Sequence, residues 1–197
     1  MACNKKIILA SASPRRKEIL SLLGLDFTVS VSDAEPEMER NASVEKFAAL
    51  CAKTKALDVA KNNKNAVIIA ADTVVCVDGV LLGKPHGDDD AKRMLRLLSG
   101  KTHSVITAVC VVDNGNLSEF FETSYVTFSK MDEEEISSYI ATGEPADKAG
   151  AYAVQGKALK FIEGIKGDFY NIMGFPASRF YREYRELFQK FRKSDKE

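Results

Sequence analysis

Residues 7–16 read Ile-Ile-Leu-Ala-Ser-Ala-Ser-Pro-Arg-Arg, an apolar run that leads directly into an amphipathic stretch. The apolar run predicts a short buried strand. Ser13 predicts a helix N-cap, and Pro14 suits the first helical position, where its missing N–H costs nothing. Gly24 predicts the end of this helix. The expected apolar face of the helix consists of Ile19, Leu20, Leu22 and Leu23.

The loop between this strand and this helix predicts an anion site. Its polar side chains are Ser11, Ser13, Arg15 and Arg16. A helix N-terminus presents unpaired backbone N–H groups and the positive end of the helix dipole, and guanidinium groups bind phosphate in a bidentate manner. Phosphate is therefore the expected ligand. The alternative is a capped surface helix that carries two arginines for solubility.

Strands and helices alternate along the rest of the chain, which indicates an α/β fold. We expect two separate strands at residues 66–70 and 74–77, and a last helix from about Pro176 to Arg192. A long helix is expected from about Ser43 to Ala60. The side chains expected to be buried on that helix are Phe47, Leu50, Cys51 and Leu57. The run Asp88-Asp89-Asp90 favours helix capping over a metal site.

Four further side chains are candidates for chemistry. Asp72 is expected at the end of a very apolar strand, where a carboxylate is costly unless it is used or paired. Lys84 lies between a glycine and a proline on a predicted loop, Lys55 lies late in the long helix, and Gln155 precedes Gly156. Three of them have a structural alternative: Asp72 as a turn cap, Lys84 as a solvated loop lysine, and Gln155 as an amide at the end of a strand.

Composition excludes several classes of function. The 197 residues contain 28 Lys+Arg and 28 Asp+Glu, so no net charge attracts nucleic acid or an anionic membrane. No apolar run approaches the roughly 18 residues of a membrane span, and the N-terminus does not resemble a signal peptide. The four cysteines form no CxxC pair, and the two histidines exclude a histidine-rich metal site. We therefore expect a cytoplasmic protein.

Seven ordered segments resemble the Maf family of nucleoside-triphosphate pyrophosphatases over essentially the whole chain, residues 1–197, as a single domain. The segments are residues 9–20, 52–56, 71–75, 83–85, 98–104, 144–152 with 155–156, and 167–171 with 174–176. The resemblance implies a mixed, twisted sheet flanked by helices, in two lobes with a central cleft, similar to the inosine-triphosphate pyrophosphatases. It also implies hydrolysis of a nucleoside triphosphate to the monophosphate and pyrophosphate, assisted by a divalent cation, Mg²⁺ or Mn²⁺.

The resemblance also assigns roles to individual residues. The family's general base falls on Asp72. The positions linked to substrate choice match Arg15, Thr73 and Gln155, a combination that resembles the branch acting on dTTP and UTP. Glu35 matches a family binding position, and because Mg²⁺ needs only one or two carboxylates, Glu35 and Asp72 are the expected metal ligands. The phosphate-binding positions, together with Arg16 from the loop, are Ser11, Ser13, Lys55 and Lys84.

Two other functions are open to the same residues. A non-catalytic nucleotide-binding module, linked in this family to septum formation, needs the cations but has no use for Asp72. A nucleotidyltransferase needs glycines for close approach to phosphate, and residues 9–16 contain none. The expected partner is a small-molecule nucleotide. The oligomeric state is left open, with a homodimer as one state.

Overall fold

The computed structural model describes residues 5–36 and 43–192, with side chains described to residue 188. The seven strands are β1 (Lys6–Leu9), β2 (Thr28–Val29), β3 (Ala66–Val77), β4 (Val80–Leu82), β5 (Thr102–Asp113), β6 (Asn116–Phe128) and β7 (Ile162–Lys166). The helices are α1 (Pro14–Leu22), α2 (Val44–Ala60), α3 (Asp88–Leu98), α4 (Glu133–Ile140), α5 (Phe169–Met173) and α6 (Ala177–Glu183). Short 3₁₀ segments follow α4 and α6.

The strands form one mixed sheet in the order β2-β1-β3-β5-β6-β7, with β4 paired to β3. Strand β1 runs parallel to β2 and to β3, whereas β4 is antiparallel to β3 and β7 is antiparallel to β6. Two-residue turns with positive φ at both positions join β3 to β4 and β5 to β6, as expected for hairpins. The predicted mixed α/β sheet flanked by helices is confirmed.

The start of α1 matches the sequence prediction. Ser13 is the N-cap, and its hydroxyl accepts from the Arg16 backbone N–H at 3.4 Å. Gly24, with φ +79°, follows the C-terminus in the left-handed conformation. Ile19 and Leu20 are buried, but Leu22 is 71% exposed, so its predicted burial is wrong. Leu22 lies two positions after Leu20, which places it on the opposite face of the helix.

The buried face of α2 also differs from the prediction. The helix has the expected N-cap, Ser43, and ends at Ala60 as expected. Leu50 and Leu57 are 37% and 42% exposed, so their predicted burial is wrong. The buried residues of the helix are Ala48, Cys51, Ala52, Ala56 and Val59. The alanines recur every four residues and therefore lie on one face of the helix, which is the buried face. The two leucines lie seven residues apart on another face.

Residues 66–77 form one strand, not the two separate strands predicted. Asp72 is therefore in the middle of β3, and its placement at the end of a strand is wrong. Its neighbours along the strand explain the continuity, because Thr73, Val74 and Val75 are β-branched residues that favour an extended backbone. The hairpin with β4 extends the pairing to Val77.

The last helix is shorter than predicted. Helix α6 ends at Glu183, and residues 185–192 continue as a 3₁₀ segment. Tyr184 interrupts the helix with φ −120° and ψ 41°. Its ring lies 5.0 Å from that of Phe180, and its hydroxyl donates to Ser118 Oγ at 2.9 Å. These tertiary contacts override the local helical pattern.

The chain divides into two compact units. Unit 1 comprises Met1–Asp72, Ala108–Phe121 and Gly174–Glu197, and unit 2 comprises Thr73–Thr107 and Glu122–Met173. In unit 2, the rings of His103, Phe128 and Tyr152 pack edge to face in the core. The single domain and the cleft implied by the resemblance stay predictions.

Among residues 5–36 and 43–192, no helix combines the length and the apolar character that a membrane crossing requires.

Candidate active site

Ser11 and Ser13 organise the loop before α1 in unit 1. Ser11 is 7% exposed, and its Oγ accepts from the Ser13 backbone N–H and from Arg16 Nη1, each at 3.2 Å. A hydroxyl oxygen has two lone pairs, and both are engaged here. Ser11 therefore meets any further group as a donor, which suits an oxygen of a phosphate.

Arg16 connects this loop to the segment that precedes α6. Its Nε donates to the Gly174 carbonyl at 2.9 Å, while Nη1 donates to Ser11. Burial lowers the pKa of Arg16. The negative charge of Asp72 raises the pKa, and the positive charge of Arg15 lowers it further. A guanidinium stays protonated in proteins, so two arginines place two positive charges at the N-terminus of α1.

Lys55 links the two carboxylates assigned to metal binding. Its Nζ lies 2.6 Å from Asp72 Oδ1 and 3.7 Å from Glu35 Oε1. The side chains of Lys55 and Asp72 are 15% and 17% exposed, and that of Glu35 is 76% exposed. We refer to Arg16, Glu35, Lys55 and Asp72 as the charged cluster. Pairing with Lys55 explains how a carboxylate is tolerated in an apolar strand.

Cys51, on the buried face of α2, lies beside the charged cluster. Burial, followed by the negative charge of Asp72, raises the pKa of the Cys51 thiol to about 12. The thiol is therefore protonated at neutral pH and is not an activated nucleophile. The reactive groups in this part of unit 1 are carboxylates and cations, which are suited to acid–base chemistry on an anionic substrate.

The charged cluster has a donor set that fits a magnesium or manganese ion. Mg²⁺ prefers oxygen ligands and uses one or two carboxylates with substrate phosphates and waters. Glu35 and Asp72 both approach the same ammonium group, so their oxygens converge on one cation position. Within the described residues, no group of three or more His, Cys, Asp or Glu side chains is arranged to hold a metal. Glu35 and Asp72 would therefore bind the ion only together with oxygen atoms from the substrate or from water.

In unit 2, Thr73 begins a series of hydrogen bonds that runs into the core. Its Oγ1 lies 2.9 Å from Thr107 Oγ1, and Thr107 Oγ1 donates to the Asn171 backbone carbonyl at 2.9 Å. Thr107 and Asn171 are fully buried. We refer to Thr73, Thr107 and Asn171 as the hydroxyl chain. The sequence does not single out Thr107, which lies in an apolar strand.

Lys84 lies on the loop after β4 and is exposed. The Gly83 carbonyl next to it accepts from the Gly150 N–H at 3.0 Å, which ties this loop to the glycine-containing segment. Gly150 has φ +69°, and a Cβ there would lie 3.0 Å from Val75 Cγ2. Glycine is favoured at position 150 because a side chain there would be strained by the backbone angle and by the close approach of Val75.

Gln155 is exposed, and the backbone that follows it is anchored. Glu144 Oε2 accepts from the Lys157 backbone N–H at 3.0 Å, and Glu144 Oε1 accepts from the Tyr139 hydroxyl at 2.7 Å. A Cβ at Gly156 would lie 2.2 Å from Glu144 Oε2. The absence of a side chain at position 156 therefore leaves room for the Glu144 carboxylate. The amide of Gln155 is thus presented to solvent from a fixed backbone.

The structure brings together several of the residues that the sequence selected. Within unit 1, Ser11, Ser13 and Arg16 bond to one another, and Lys55 bonds to Glu35 and Asp72. Within unit 2, Thr73, Lys84 and Gln155 lie on β3, on the loop after β4 and on the segment after residue 150. Their catalytic, phosphate-binding, selectivity and metal-binding roles stay predictions.

Comparison with known proteins gives a family match across most of the chain. A family model described as Maf-like protein matches residues 6–187. A dTTP/UTP pyrophosphatase of Bacillus cereus (strain ATCC 10987 / NRS 248) is 46% identical over 93% of this chain and 90% of its own. A dTTP/UTP pyrophosphatase of Bacillus velezensis is 46% identical over 93% of this chain and 97% of its own.

Solved structures are more distantly similar. The Ham1 protein of Staphylococcus aureus has a TM-score of 0.46 and 16% identity, covering 98% of this chain and 100% of that one. A nucleoside-triphosphatase described as a dITP/XTP pyrophosphatase, from Mycobacterium abscessus, has a TM-score of 0.44 and 15% identity, covering 94% of this chain and 97% of that one.

Proposed function

The chain belongs to the Maf-like protein family, and from this we propose that it hydrolyses nucleoside triphosphates, preferring dTTP and UTP, to the monophosphate and pyrophosphate. The relatives at 46% identity carry the name dTTP/UTP pyrophosphatase and align over nearly their whole length. The observation that carries the proposal is the ion pair between Lys55 Nζ and Asp72 Oδ1, at 2.6 Å. It places a largely buried carboxylate next to a positive charge.

Charge neutralisation is the first requirement of the reaction. A triphosphate carries several negative charges, which repel an attacking water or hydroxide unless cations offset them. Arg15 and the N-terminus of α1 supply positive charge in unit 1, and Ser11 supplies a hydroxyl proton. We assign Lys84 the same role from its loop in unit 2. The glycine and proline beside Lys84 constrain the backbone from which it extends.

Asp72 acts as the general base in this proposal. The Lys55 ammonium binds Oδ1, and a carboxylate has a second oxygen that can accept a proton from water. Lys55 therefore orients the carboxylate while Asp72 orients and deprotonates the attacking water. Glu35 and Asp72 would hold a divalent cation, which supplies Lewis-acid stabilisation of phosphate oxygens when it is bound.

Base selection is assigned to Arg15, Thr73 and Gln155. Uracil and thymine present two carbonyl acceptors, one on either side of a single N–H. The amide of Gln155 can donate to a carbonyl and accept from that N–H. A polar site of this kind discriminates strongly, because a mismatched base leaves donors or acceptors unpaired. The expected order of substrates is dTTP and UTP first, CTP clearly poorer, and purine triphosphates poorest.

A panel of nucleoside triphosphates with Mg²⁺ or Mn²⁺, and with no acceptor present, tests the proposal. Stoichiometric release of monophosphate and pyrophosphate from UTP is expected. Binding of UTP without turnover would favour the non-catalytic module, and pyrophosphate release that requires an added acceptor would favour a nucleotidyltransferase. Equal rates on ATP, GTP and UTP would reject the pyrimidine preference and keep the pyrophosphatase chemistry. The cytoplasmic location and a homodimer stay predictions.

A further inference from the structure

Two side chains of unit 2 hold the backbone on either side of Gln155. Before Gln155, the Ala153 backbone N–H donates to the Tyr139 hydroxyl oxygen at 3.4 Å. After Gln155, the Lys157 backbone N–H donates to Glu144 Oε2 at 3.0 Å. The two side chains are joined to each other, because the Tyr139 hydroxyl donates to Glu144 Oε1 at 2.7 Å. We refer to Tyr139 and Glu144 as the support pair.

The chemistry of the support pair determines the direction of these hydrogen bonds. A carboxylate only accepts, so the single proton of the Tyr139 hydroxyl goes to Glu144. The phenol oxygen keeps its lone pairs, and one of them accepts from the Ala153 N–H. Burial raises the pKa of Tyr139, and the hydrogen bond to Glu144 raises it further, so the phenol keeps its proton. Each support bond therefore depends on the presence of the Glu144 carboxylate.

The support pair is itself fixed in place. Tyr139 is 1% exposed, and its ring packs edge to face on that of Phe161 with the centroids 5.7 Å apart. The Gly156 N–H donates to the Ala153 carbonyl at 3.0 Å, which closes a turn around Gln155. Gly156 has φ −109°, an angle that any residue adopts, so the approach of the carboxylate accounts for the glycine better than the backbone angle does.

A fixed backbone matters for an exposed side chain that binds a ligand. An exposed loop that is ordered only on binding loses conformational freedom, and this loss lowers its affinity. Each supported N–H, at Ala153 and at Lys157, is two positions from Gln155. The turn that carries the Gln155 amide is therefore ordered before any ligand arrives, and less freedom is lost on binding.

We propose that Glu144 is a positioning residue for base selection, which acts together with Tyr139 by fixing the backbone that carries the Gln155 amide. This inference rests on the role of Gln155 in the proposed function. Glu144 acts only through the amide of Gln155. Its loss should therefore lower selectivity while Gln155 is present and should have no further effect on selectivity once Gln155 is replaced.

The test is Glu144→Gln, alone and combined with Gln155→Ala. Glutamine keeps the size of the side chain and replaces one acceptor oxygen with an NH₂ group, so one of the two bonds of the carboxylate is lost. The ratio of kcat/KM for UTP to that for GTP is expected to fall about twofold to tenfold, mainly through KM for UTP. The double variant is expected to have the same ratio as Gln155→Ala alone.

Glu133→Gln is the matched control. Glu133 is on α4, the helix that carries Tyr139, and both of its oxygens accept from Arg96, at 2.6 and 2.7 Å. The same chemical change there is expected to leave the ratio unchanged. If Glu144→Gln does not fold, Tyr139→Phe replaces it. Phenylalanine retains the ring, removes both bonds of the hydroxyl, and should lower the ratio in the same direction.

An unchanged ratio in folded, active Glu144→Gln or Tyr139→Phe protein would overturn the inference and leave the proposed function intact. Equal losses for UTP and GTP would also overturn it, since the effect would then be a general structural one. So would a ratio in the double variant below that of Gln155→Ala, because Glu144 would then act by another route. Absence of pyrophosphate release from UTP by the unmodified protein would instead reject the proposed function, and with it the inference.

Discussion

The charged cluster of unit 1 and the hydroxyl chain of unit 2 stabilise polar side chains of the same strand, β3, through different interactions. Each places a polar side chain of β3 in a largely apolar strand. Asp72 is stabilised by the ammonium of Lys55 at 2.6 Å, whereas Thr73 is stabilised by a neutral hydroxyl at 2.9 Å. A charged pair supplies strong electrostatics, and a series of neutral hydrogen bonds supplies a defined direction.

This difference predicts different consequences of mutation. Changes in the charged cluster should alter the rate for every nucleotide, because every triphosphate presents the same phosphates. Changes at Thr73 or Gln155 should alter the choice among bases and leave the chemistry with phosphate largely intact.

The largest expected effect is that of Asp72→Asn. Loss of the general base is expected to lower kcat by about 10²- to 10⁴-fold on all nucleotides, with the fold retained. Steady-state kinetics with UTP and a thermal unfolding curve check this. Asp78→Asn is the matched control, because Asp78 also pairs with a lysine, Lys101, at 2.7 Å but is exposed on a turn. Wild-type turnover by folded Asp72→Asn protein would remove Asp72 from the mechanism.

Removal of a phosphate-binding cation is the next largest change. Arg15→Ala and Lys84→Ala are each expected to lower kcat/KM about tenfold to a hundredfold, as for loss of a charge-assisted hydrogen bond. For Lys84→Ala, which removes a charge assigned to phosphate alone, the decrease should be equal for UTP and CTP. Lys101→Ala and Lys160→Ala, which remove exposed lysines outside the assigned site, should be nearly neutral. Similar small effects for all four substitutions would show that the phosphate site is misplaced.

The buried His103 of unit 2 predicts that the stability of the protein depends on pH. His103 Nε2 lies 2.8 Å from the Tyr152 hydroxyl, and its Nδ1 has no hydrogen-bond partner among the described residues. Burial lowers the pKa of His103 to about 4. The unfolded chain therefore binds more protons between about pH 4 and the ordinary histidine pKa of about 6.5.

Stability should be complete above about pH 6.5 and should fall as the pH is lowered toward 4, by at most about 3 kcal/mol from this residue. Urea unfolding at pH 7.5 and pH 5 measures the change. His103→Gln retains a polar side chain that does not titrate, so its free energy of unfolding should depend less on pH over this interval. An identical pH dependence in both proteins would contradict the assignment of a neutral histidine.

Gln155→Ala is expected to have the smallest effect, because the side chain is exposed. The kcat/KM for UTP should fall about threefold to tenfold, as for loss of one or two neutral hydrogen bonds, and residual activity on GTP should fall less. Lys157→Ala serves as a control on the same segment, since the contact of Lys157 with Glu144 is made by its backbone N–H. Equal loss for UTP and GTP would place Gln155 outside base selection.

Local sequence signals predicted much of the secondary structure. Ser13, Pro14 and Ser43 act through backbone groups within a few residues, so their effects can be read without the fold. These features depend on side chains that bond to their own neighbouring backbone.

Predictions that depended on neighbours distant in the chain were less accurate. The sequence suggested a break at Asp72, but pairing with Lys55 lets β3 continue through it. The exposed leucines of α2 show the same limit, because hydrophobicity alone did not reveal that the alanine face would be buried. The helix predicted to reach Arg192 ends at Glu183, where Tyr184 bonds to Ser118.

The sequence by itself determined the family, the α/β class and the residue types of the candidate site, because each is encoded in contiguous motifs. Only the tertiary structure decided that Thr73 contacts Thr107, that Thr107 bonds to the Asn171 carbonyl, and that Lys55 pairs with Asp72. Those contacts join residues 17 to 64 positions apart. The direction of a hydrogen bond depends on which buried donor and acceptor meet in space, and no local pattern specifies that.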